Sequence, residues 1–208
     1  HWVREVVGWQ HVEAAQEAGR GILFLTPHLG NFEITAPAYS QKAGRPITVL
    51  YRPSKWRALD ALMQHRAREE MHTAPADLSG VRKLFRALKR GEAVGMLPDQ
   101  TPKAGEGQWL PFFGKPAYTM TLAARLSETG ATVLLAYGER LPDGEGFCLH
   151  FERPDVPIEG DTALRAQAIN QEMERLILRL PGQYLWGYNR YKGRPNADLS
   201  ASPSGDAL

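Results

Sequence analysis

Five short apolar runs, spread along the 208 residues, constrain the fold more than any other feature of this chain. Each run is bounded by Gly, Pro or charged residues, which is typical of buried strands. The runs are GILFLT (21–26), PITVLY (46–51), AVGMLP (93–98), ATVLLAYG (131–138) and GFCLHF (146–151). A chain with this pattern must bring several buried strands together in one sheet.

Helical periodicity fills the intervals between several of these runs. Apolar residues recur at spacings of three and four in KWRALDALMQHRAREEM (55–71) and in GVRKLFRALKRG (80–91), which predicts two amphipathic helices. A third helix is predicted in DTALRAQAINQEMERLILRLP, where Asp161 is a plausible N-cap and Pro181 a stop signal. Strands that alternate with helices predict an α/β fold with a mixed, mostly parallel sheet flanked by helices.

Composition and the two chain ends lead to further predictions about the domain organisation. With 43% hydrophobic and 23% charged residues, the chain is predicted to form one soluble globular domain over 1–194. The small polar residues 195–208 are predicted to be a disordered tail. Because the first residue is His1, we expect an N-terminally truncated fragment. We expect no transmembrane helix in this sequence, since no apolar run approaches the roughly 20 residues that such a helix needs. Cys148, within FCLHF, is interpreted as a structural thiol.

Charge is distributed unevenly along the chain. Between Lys42 and Arg90 there are twelve lysines and arginines against four acids, although the formal net charge of the whole chain is only +2. This region is a candidate anion-binding surface, and a pair of solvated basic helices would give the same count. No zinc-finger spacing, basic zipper or RNA-binding aromatic signature accompanies it, so a nucleic-acid partner is not expected.

The residues after the first apolar run are the best candidates for catalysis. In open α/β sheets ligands gather beyond the carboxyl ends of strands, and His28 follows the run that ends at Thr26. A helix through 28–33 would turn His28 and Glu33 about 140° apart, so we place His28 in the connecting loop. Gly30 would allow a tight path, and Glu33 in the first helical turn could then reach back to the ring. This arrangement suits a general base with an orienting carboxylate, and a structural histidine is the alternative.

Five phrases in the expected order support the catalytic interpretation. They are PHLGNFE (27–33), LYRPSKWRALDALM (50–63), GVRKLFRALKRGEAVGMLPDQ (80–100), WLPFFGKPAYTMTLAARL (109–126) and YLWGYNRYKGRP (184–195). Through them the chain resembles the bacterial lipid A biosynthesis late acyltransferases, which are similar to glycerolipid acyltransferases in carrying a His-x4-Asp/Glu motif. One departure is visible: family members often carry His-Arg or Arg-Arg after the tryptophan, where this chain has Tyr188 and Asn189 before Arg190.

The resemblance implies a reaction and its partners. Such enzymes move a fatty acyl chain from an acyl carrier protein thioester to a hydroxyl of a lipid A precursor, at the cytoplasmic face of the bacterial inner membrane. His28 matches the general base and Glu33 its orienting carboxylate, in a glycerolipid-acyltransferase-like fold whose usual N-terminal membrane anchor is absent here. No metal or cofactor is implied beyond the acyl carrier protein thioester. The sequence carries no Gly-x-Ser-x-Gly, so we expect direct attack without an acyl-enzyme.

The resemblance also implies residues that bind the substrates. Arg52, in YRP, is the first choice for the anionic acceptor, and Arg68 the second. Asp99 and Gln100 follow AVGMLP as His28 follows GILFLT, so we expect them to form a second wall of the same site, orienting Arg52 or a headgroup. A turn cap is the alternative for that pair. Asn31 is predicted either to donate to the developing oxyanion or to cap the helix.

Several alternatives stay open at this stage. The basic residues of 82–90 could dock the carrier protein or headgroups, or form a solvated helix face. The aromatic segment WLPFFGKP could line an acyl groove, rest on a bilayer, or pack in the core. The same chemistry could act on another glycolipid, an aminoacyl acceptor or a phospholipid. A non-catalytic lipid-binding relative is the alternative from a different functional class.

Overall fold

The computed structural model describes residues 2–51 and 71–192, and these form a three-layer α/β/α sandwich. Arg52, Arg68, the predicted helix over 55–70 and the predicted tail lie outside the described residues. The strands are β1 (Val3–Val7), β2 (Ile22–Leu25), β3 (Ile47–Tyr51), β4 (Met71–Pro75), β5 (Ala93–Met96), β6 (Gly107–Phe112), β7 (Lys115–Met120), β8 (Thr132–Arg140) and β9 (Phe147–Glu152). The α-helices in the described ranges are α1 (Trp9–Ala18), α2 (Thr35–Ala43), α3 (Leu78–Lys89), α4 (Leu122–Ser127) and α5 (Thr162–Arg179).

The main sheet has seven strands in the order β1-β9-β8-β2-β5-β3-β4. Strands β8, β2, β5, β3 and β4 are parallel to one another, whereas β9 pairs antiparallel with β8 and carries β1 parallel beside it. The predicted α/β class with a mostly parallel, mixed sheet is therefore confirmed. Since β2 and β5 are parallel neighbours, the residues that follow Leu25 and Met96 emerge at the same edge of the sheet.

Each central strand is buried on both faces, which explains its uninterrupted apolar sequence. In β2, Leu23 and Leu25 pack into one apolar cluster, while Ile22 and Phe24 pack into the other. Helices α3, α4 and α5 cover the first face, and α1 and α2 cover the second. Burying one such strand residue stabilises the fold by about 1.5–3 kcal/mol, so a polar substitution on either face would be strongly destabilising.

Two of the predicted helices are confirmed, although α3 begins and ends two residues earlier than the stretch predicted for it, 80–91. Asp77 caps α3 by accepting hydrogen bonds from the amides of Ser79 and Gly80, at 2.8 and 3.0 Å. Asp161 caps α5 through the amide of Leu164, as predicted, and that helix ends before Pro181. Met71 is a correction: it was assigned to the end of a helix but begins β4, because it pairs in register with Ile47 of β3.

A separate two-stranded hairpin, β6–β7, contains most of the aromatic segment WLPFFGKP. Phe112 is almost fully buried in the core, whereas Trp109 is 37% exposed and packs against Tyr118. The core interpretation therefore applies to Phe112. Within the described ranges, no helix combines the length and the apolarity that crossing a bilayer requires.

Candidate active site

His28 lies in the loop that leaves β2, where a carboxylate holds it at two points. The backbone amide of His28 donates to Oδ2 of Asp99 at 2.8 Å, and the ring Nδ1 lies 2.7 Å from Oδ1 of the same carboxylate. Asp99 follows β5 as His28 follows β2, so the parallel pairing of those strands brings the two residues together. The Asp99 side chain is 1% exposed and that of His28 is 15% exposed. The pair is buried on the carboxylate side and open on the imidazole side.

The contacts of the ring define its tautomer. A carboxylate can only accept hydrogen bonds, so Nδ1 carries the proton and donates it to Asp99. This leaves a lone pair on Nε2, which accepts a hydrogen bond from the side-chain amide of Gln100 at 3.1 Å. The ring of Phe32 lies edge-on to the imidazole, with centroids 4.7 Å apart. His28 is thus poised as a base at Nε2, in the tautomer that a general base requires.

The loop around His28 is fixed by backbone contacts from two directions. The amide of Gly30 donates to the carbonyl of Gln183 at 2.9 Å, and the amide of Asn31 donates to Gly138 at 2.8 Å. Gly30 has φ of 57°, and a Cβ there would lie 2.0 Å from the Gly138 carbonyl oxygen. Any larger residue at position 30 would push the loop away from β8, so glycine is required for this approach.

Glu33 does not occupy the position predicted for it. It lies in a 3-10 turn, Phe32–Ile34, with its side chain exposed, and both ring nitrogens of His28 face Asp99 and Gln100 instead. The predicted contact between Glu33 and the imidazole is therefore not formed in this structure. The turn is the physical reason, because it directs Glu33 toward an apolar cavity rather than back toward the ring. A catalytic role for Glu33 stays a prediction.

Asp99 and Gln100 do form a second wall of the site, and their contact is with His28. The prediction that both residues lie at the same sheet edge as His28 is confirmed. Their predicted role in orienting Arg52 or a headgroup stays a prediction, and Arg52 lies outside the described residues. Asn31 begins the turn that holds Glu33, and its side chain makes no capping hydrogen bond there. Of its two predicted roles, the cap is therefore not formed, and the oxyanion role stays a prediction.

An apolar cavity of about 200 Å³ opens beside the catalytic loop, between α2 and the sheet. Thr26, Phe32 and Glu33 are the lining residues nearest His28 in the chain. Deeper apolar lining comes from Phe24, Tyr39, Val49, Met71, Gly95 and Phe151. An apolar cavity of this kind suits a hydrocarbon chain.

The segment after α5 closes the site from a third side, and no role was predicted for most of its residues. The amide of Leu185 donates to the carbonyl of His28 at 3.1 Å. The phenol of Tyr188 accepts from the Thr101 amide at 2.9 Å, and Thr101 Oγ1 donates to the Arg190 carbonyl at 3.2 Å. The aromatic density of YLWGYNRY directly after a helix stop was the available signal. Its contacts with Thr101 could not be read from the sequence.

Cys148, by contrast, belongs to the structural framework. It lies in β9 and is buried, and burial together with the charges of Glu5 and Glu139 raises the pKa of its thiol. A thiol held in the protonated form is a weak nucleophile, which fits the predicted structural role.

Comparison with known proteins identifies the relatives of this chain. The sequence model of the family described as "Bacterial lipid A biosynthesis acyltransferase" matches residues 1–193. A lipid A biosynthesis lauroyltransferase of Escherichia coli (strain K12) is 31% identical over 196 residues, covering 92% of this chain and 62% of the relative. A palmitoleoyltransferase of the same organism is 29% identical over 202 residues, covering 94% and 64%. The chain thus spans a little over three fifths of the length of these two relatives.

Proposed function

Because the chain belongs to the bacterial lipid A biosynthesis acyltransferases, we propose that it transfers a fatty acyl group to a hydroxyl of a lipid A precursor. The donor is the thioester of an acyl carrier protein. The observation that carries the proposal is the His28–Asp99 pair, which lies at the carboxyl edge of two parallel strands with Nε2 placed to accept a proton. We expect no metal or redox cofactor in this reaction.

The proposed reaction is a direct displacement. Nε2 of His28 takes the proton of the acceptor hydroxyl while the hydroxyl oxygen bonds to the thioester carbonyl carbon. The carbon–sulfur bond then breaks, and the imidazolium returns its proton to the departing thiolate. Asp99 stabilises the imidazolium through Nδ1, so it contributes most when the proton has moved. In the resting state the side-chain amide of Gln100 donates a hydrogen bond to Nε2. The hydroxyl of the lipid substrate takes the place of that amide when it binds.

The apolar cavity is the proposed site of the donor acyl chain. Its lining consists almost entirely of aliphatic and aromatic side chains, which suits a saturated hydrocarbon. Glu33 contributes a charged group to that lining, and its side chain is exposed. We therefore assign Glu33 to the reacting end of the substrates rather than to the imidazole. Asn31, two residues earlier, is proposed as a donor to the oxyanion of the tetrahedral intermediate.

Cationic surfaces are proposed to hold the two anionic partners. Helix α3 exposes Arg82, Arg86 and Lys89, and these suit an acidic carrier protein. Arg90 is less available because Glu92 pairs with it at 2.6 Å. Arg52 and Arg68 keep their proposed role at the phosphates or acidic sugars of the acceptor. The proposed location is the cytoplasmic face of the bacterial inner membrane.

Two other assignments are distinguishable from this one. The same chemistry could serve another glycolipid, an aminoacyl acceptor or a phospholipid, because the His28–Asp99 pair dictates the reaction and not the acceptor. The second alternative is a non-catalytic lipid-binding relative. Lipid binding alone does not require a buried carboxylate that fixes the tautomer of a partly exposed imidazole. The intact geometry at Nδ1 therefore favours an enzyme.

The direct test uses the full-length protein in detergent with a tetra-acylated lipid A precursor. Acyl carrier protein charged with fatty acids of several lengths is the donor, and mass spectrometry reads the lipid product. A gain of one acyl chain with the wild type, lost in His28→Ala, is the expected result. Activity that survives in His28→Ala would exclude the proposed base. No product with any donor would redirect the search to other acceptors.

A further inference from the structure

Two oppositely charged side chains are buried beside the active site, and neither has a direct ion-pair partner of the ordinary kind. Asp99 is 1% exposed. Its two oxygens accept from the amide and the ring of His28, and the Tyr184 phenol also hydrogen-bonds to its carboxylate. In the tautomer defined above, His28 is neutral. Burying an ionised carboxylate against a neutral partner costs several kcal/mol unless a cation lies nearby.

Arg190 is the complementary case. It is 4% exposed, and its guanidinium donates to the Tyr118 carbonyl at 2.8 Å and to Thr119 Oγ1 at 2.9 Å. Both partners are neutral, and the remaining donor, Nε, has no hydrogen-bond partner. The guanidinium also lies over the ring of Phe112, 5.0 Å from its centroid. No carboxylate within the described ranges forms a direct salt bridge with this cation.

Asp99 and Arg190 belong to one cluster of polar groups that also contains Tyr184 and Thr101. Burial lowers the pKa of Arg190, and the neighbouring Tyr184 and Asp99 oppose that effect. Burial, together with the charge of Asp99 and a hydrogen bond to it, raises the pKa of the Tyr184 phenol well above its ordinary value. The backbone joins the same groups, because Thr101, two residues after Asp99, donates to the carbonyl of Arg190.

We propose that Arg190 is a positioning residue for the reaction: its buried guanidinium is the counter-charge that keeps Asp99 aligned on Nδ1 of His28. This inference rests on the proposed role of His28 as base. Because Arg190 is buried and anchored to β7, it does not bind the headgroup of a substrate. The replacement of neighbouring basic residues by Tyr188 and Asn189 leaves this counter-charge in place.

A proton signal reports the alignment without any turnover. A hydrogen bond between Nδ1–H and a buried carboxylate gives a proton resonance far downfield of the amides, and its loss in Asp99→Asn assigns it to His28. We expect Arg190→Met to abolish or broaden this resonance and Arg190→Lys to retain it. Tyr184→Phe, which removes only a hydroxyl, should shift it. The Tyr184 variant keeps the test available if Arg190→Met fails to fold.

Arg175 supplies the matched control. It is a partly buried arginine on α5, paired with Glu172 at 2.7 Å and Asp155 at 3.1 Å, away from the contacts of His28. Arg175→Met should lower stability as Arg190→Met does but leave the resonance unchanged. In turnover assays we expect Arg190→Met to lower kcat by about tenfold or more, with KM within about twofold, and Lys to restore most of it.

The outcomes separate this inference from the proposed function. A wild-type resonance that persists unchanged in Arg190→Met, or that disappears equally in Arg175→Met, would overturn the positioning role. A wild-type spectrum without the resonance would overturn it too, since the alignment would then not exist. Failure of acyl transfer alone, with the spectral differences present, would contradict the proposed reaction and leave the role of Arg190 intact.

Discussion

Two histidine–carboxylate pairs of nearly equal geometry occur in this molecule, and only one has the surroundings of an active site. Nδ1 of His28 lies 2.7 Å from Asp99, and Nε2 of His150 lies 2.8 Å from Glu139. The two histidine side chains are 15% and 17% exposed. Distance and histidine burial therefore do not distinguish the pairs.

The carboxylates and the positions in the fold do distinguish them. Asp99 is 1% exposed and also binds the backbone of His28, whereas Glu139 is 30% exposed. His150 lies within β9, stacked flat on Tyr137 with centroids 4.5 Å apart, while His28 lies in a loop at the end of a parallel strand beside a cavity. These differences are the reason why we propose catalysis at His28 and not at His150.

Replacing each histidine in turn gives the largest expected contrast. We expect His28→Ala to lower kcat by about 10²–10⁴-fold, the usual contribution of a positioned general base. His150→Ala should leave kcat within about twofold, because the imidazole of His150 serves only the β8–β9 pair. Both variants are measured with the same acyl donor under saturating acceptor. Comparable losses in the two would break the comparison.

The carboxylates give the next largest effect and test the correction at Glu33. We expect Asp99→Asn to lower kcat by about 10²-fold or more, since the amide leaves the imidazolium without its charge partner. Glu139→Gln should change kcat by less than about twofold. Glu33→Gln is expected to fall between them, because Glu33 does not contact the ring. A larger loss in Glu33→Gln than in Asp99→Asn would restore Glu33 as the orienting carboxylate.

A change in the preferred length of the acyl donor is a smaller expected effect. It concerns the apolar cavity between α2 and the sheet, which has no counterpart in the proposal for His150. A Cβ at Gly95 would lie 3.1 Å from Cγ1 of Val49, on the cavity wall. Gly95→Ala should therefore favour shorter acyl chains, changing the ratio of kcat/KM between long and short donors by about tenfold. Mass spectrometry of products from mixed donors measures the ratio. Gly182→Ala, where a Cβ meets open space, should leave it unchanged.

The smallest expected effect comes from an acid that supports the fold alone. Hydrogen bonds from Ser79 and from the amide of Gly80 lower the pKa of Asp77 below its ordinary value of 3.8. Its stabilising contribution is therefore complete above pH 3.8 and is lost as the pH falls through the lower, folded-state pKa. Asp77→Ala should lower the melting temperature slightly at pH 7 and not at all at strongly acidic pH, with kcat unchanged.

The exposed acid Glu13, within α1, is the control for that titration. Glu13→Ala removes an exposed acid that caps no helix, and its melting temperature is measured beside that of Asp77→Ala. A difference for Asp77→Ala that persists undiminished at strongly acidic pH would contradict the capping account.

The sequence was sufficient for the fold class and for the position of the site, because both follow from local patterns. Five apolar runs became strands of one sheet, and His28 and Asp99 were each placed at a strand end. It was not sufficient to choose between Glu33 and Asp99 as the partner of His28. That choice depends on β2 and β5 being neighbours and on a 3-10 turn at Phe32–Ile34, and neither has a sequence signal of its own.

The strands that were not predicted show a second limit. β6 and β7 contain Pro111 and Pro116, which argue against strands in any central position. In the structure the two prolines face each other across a two-stranded ribbon, where the missing amides cost little. β1 and β4 are the edge strands of the main sheet, and their sequences, VREVV and MHTAP, lack the continuous apolar character of the interior.

The contact between His28 and Asp99 joins residues 71 positions apart, and it exists only after β5 has docked beside β2. Contacts between distant parts of a chain form later than local helices, because the intervening loop must close first. A nascent chain that has released β2 but not yet β5 from the ribosome holds an ordinary imidazole, with no carboxylate to activate it. Under the proposed function, the general base therefore gains its carboxylate partner only when this topology is complete.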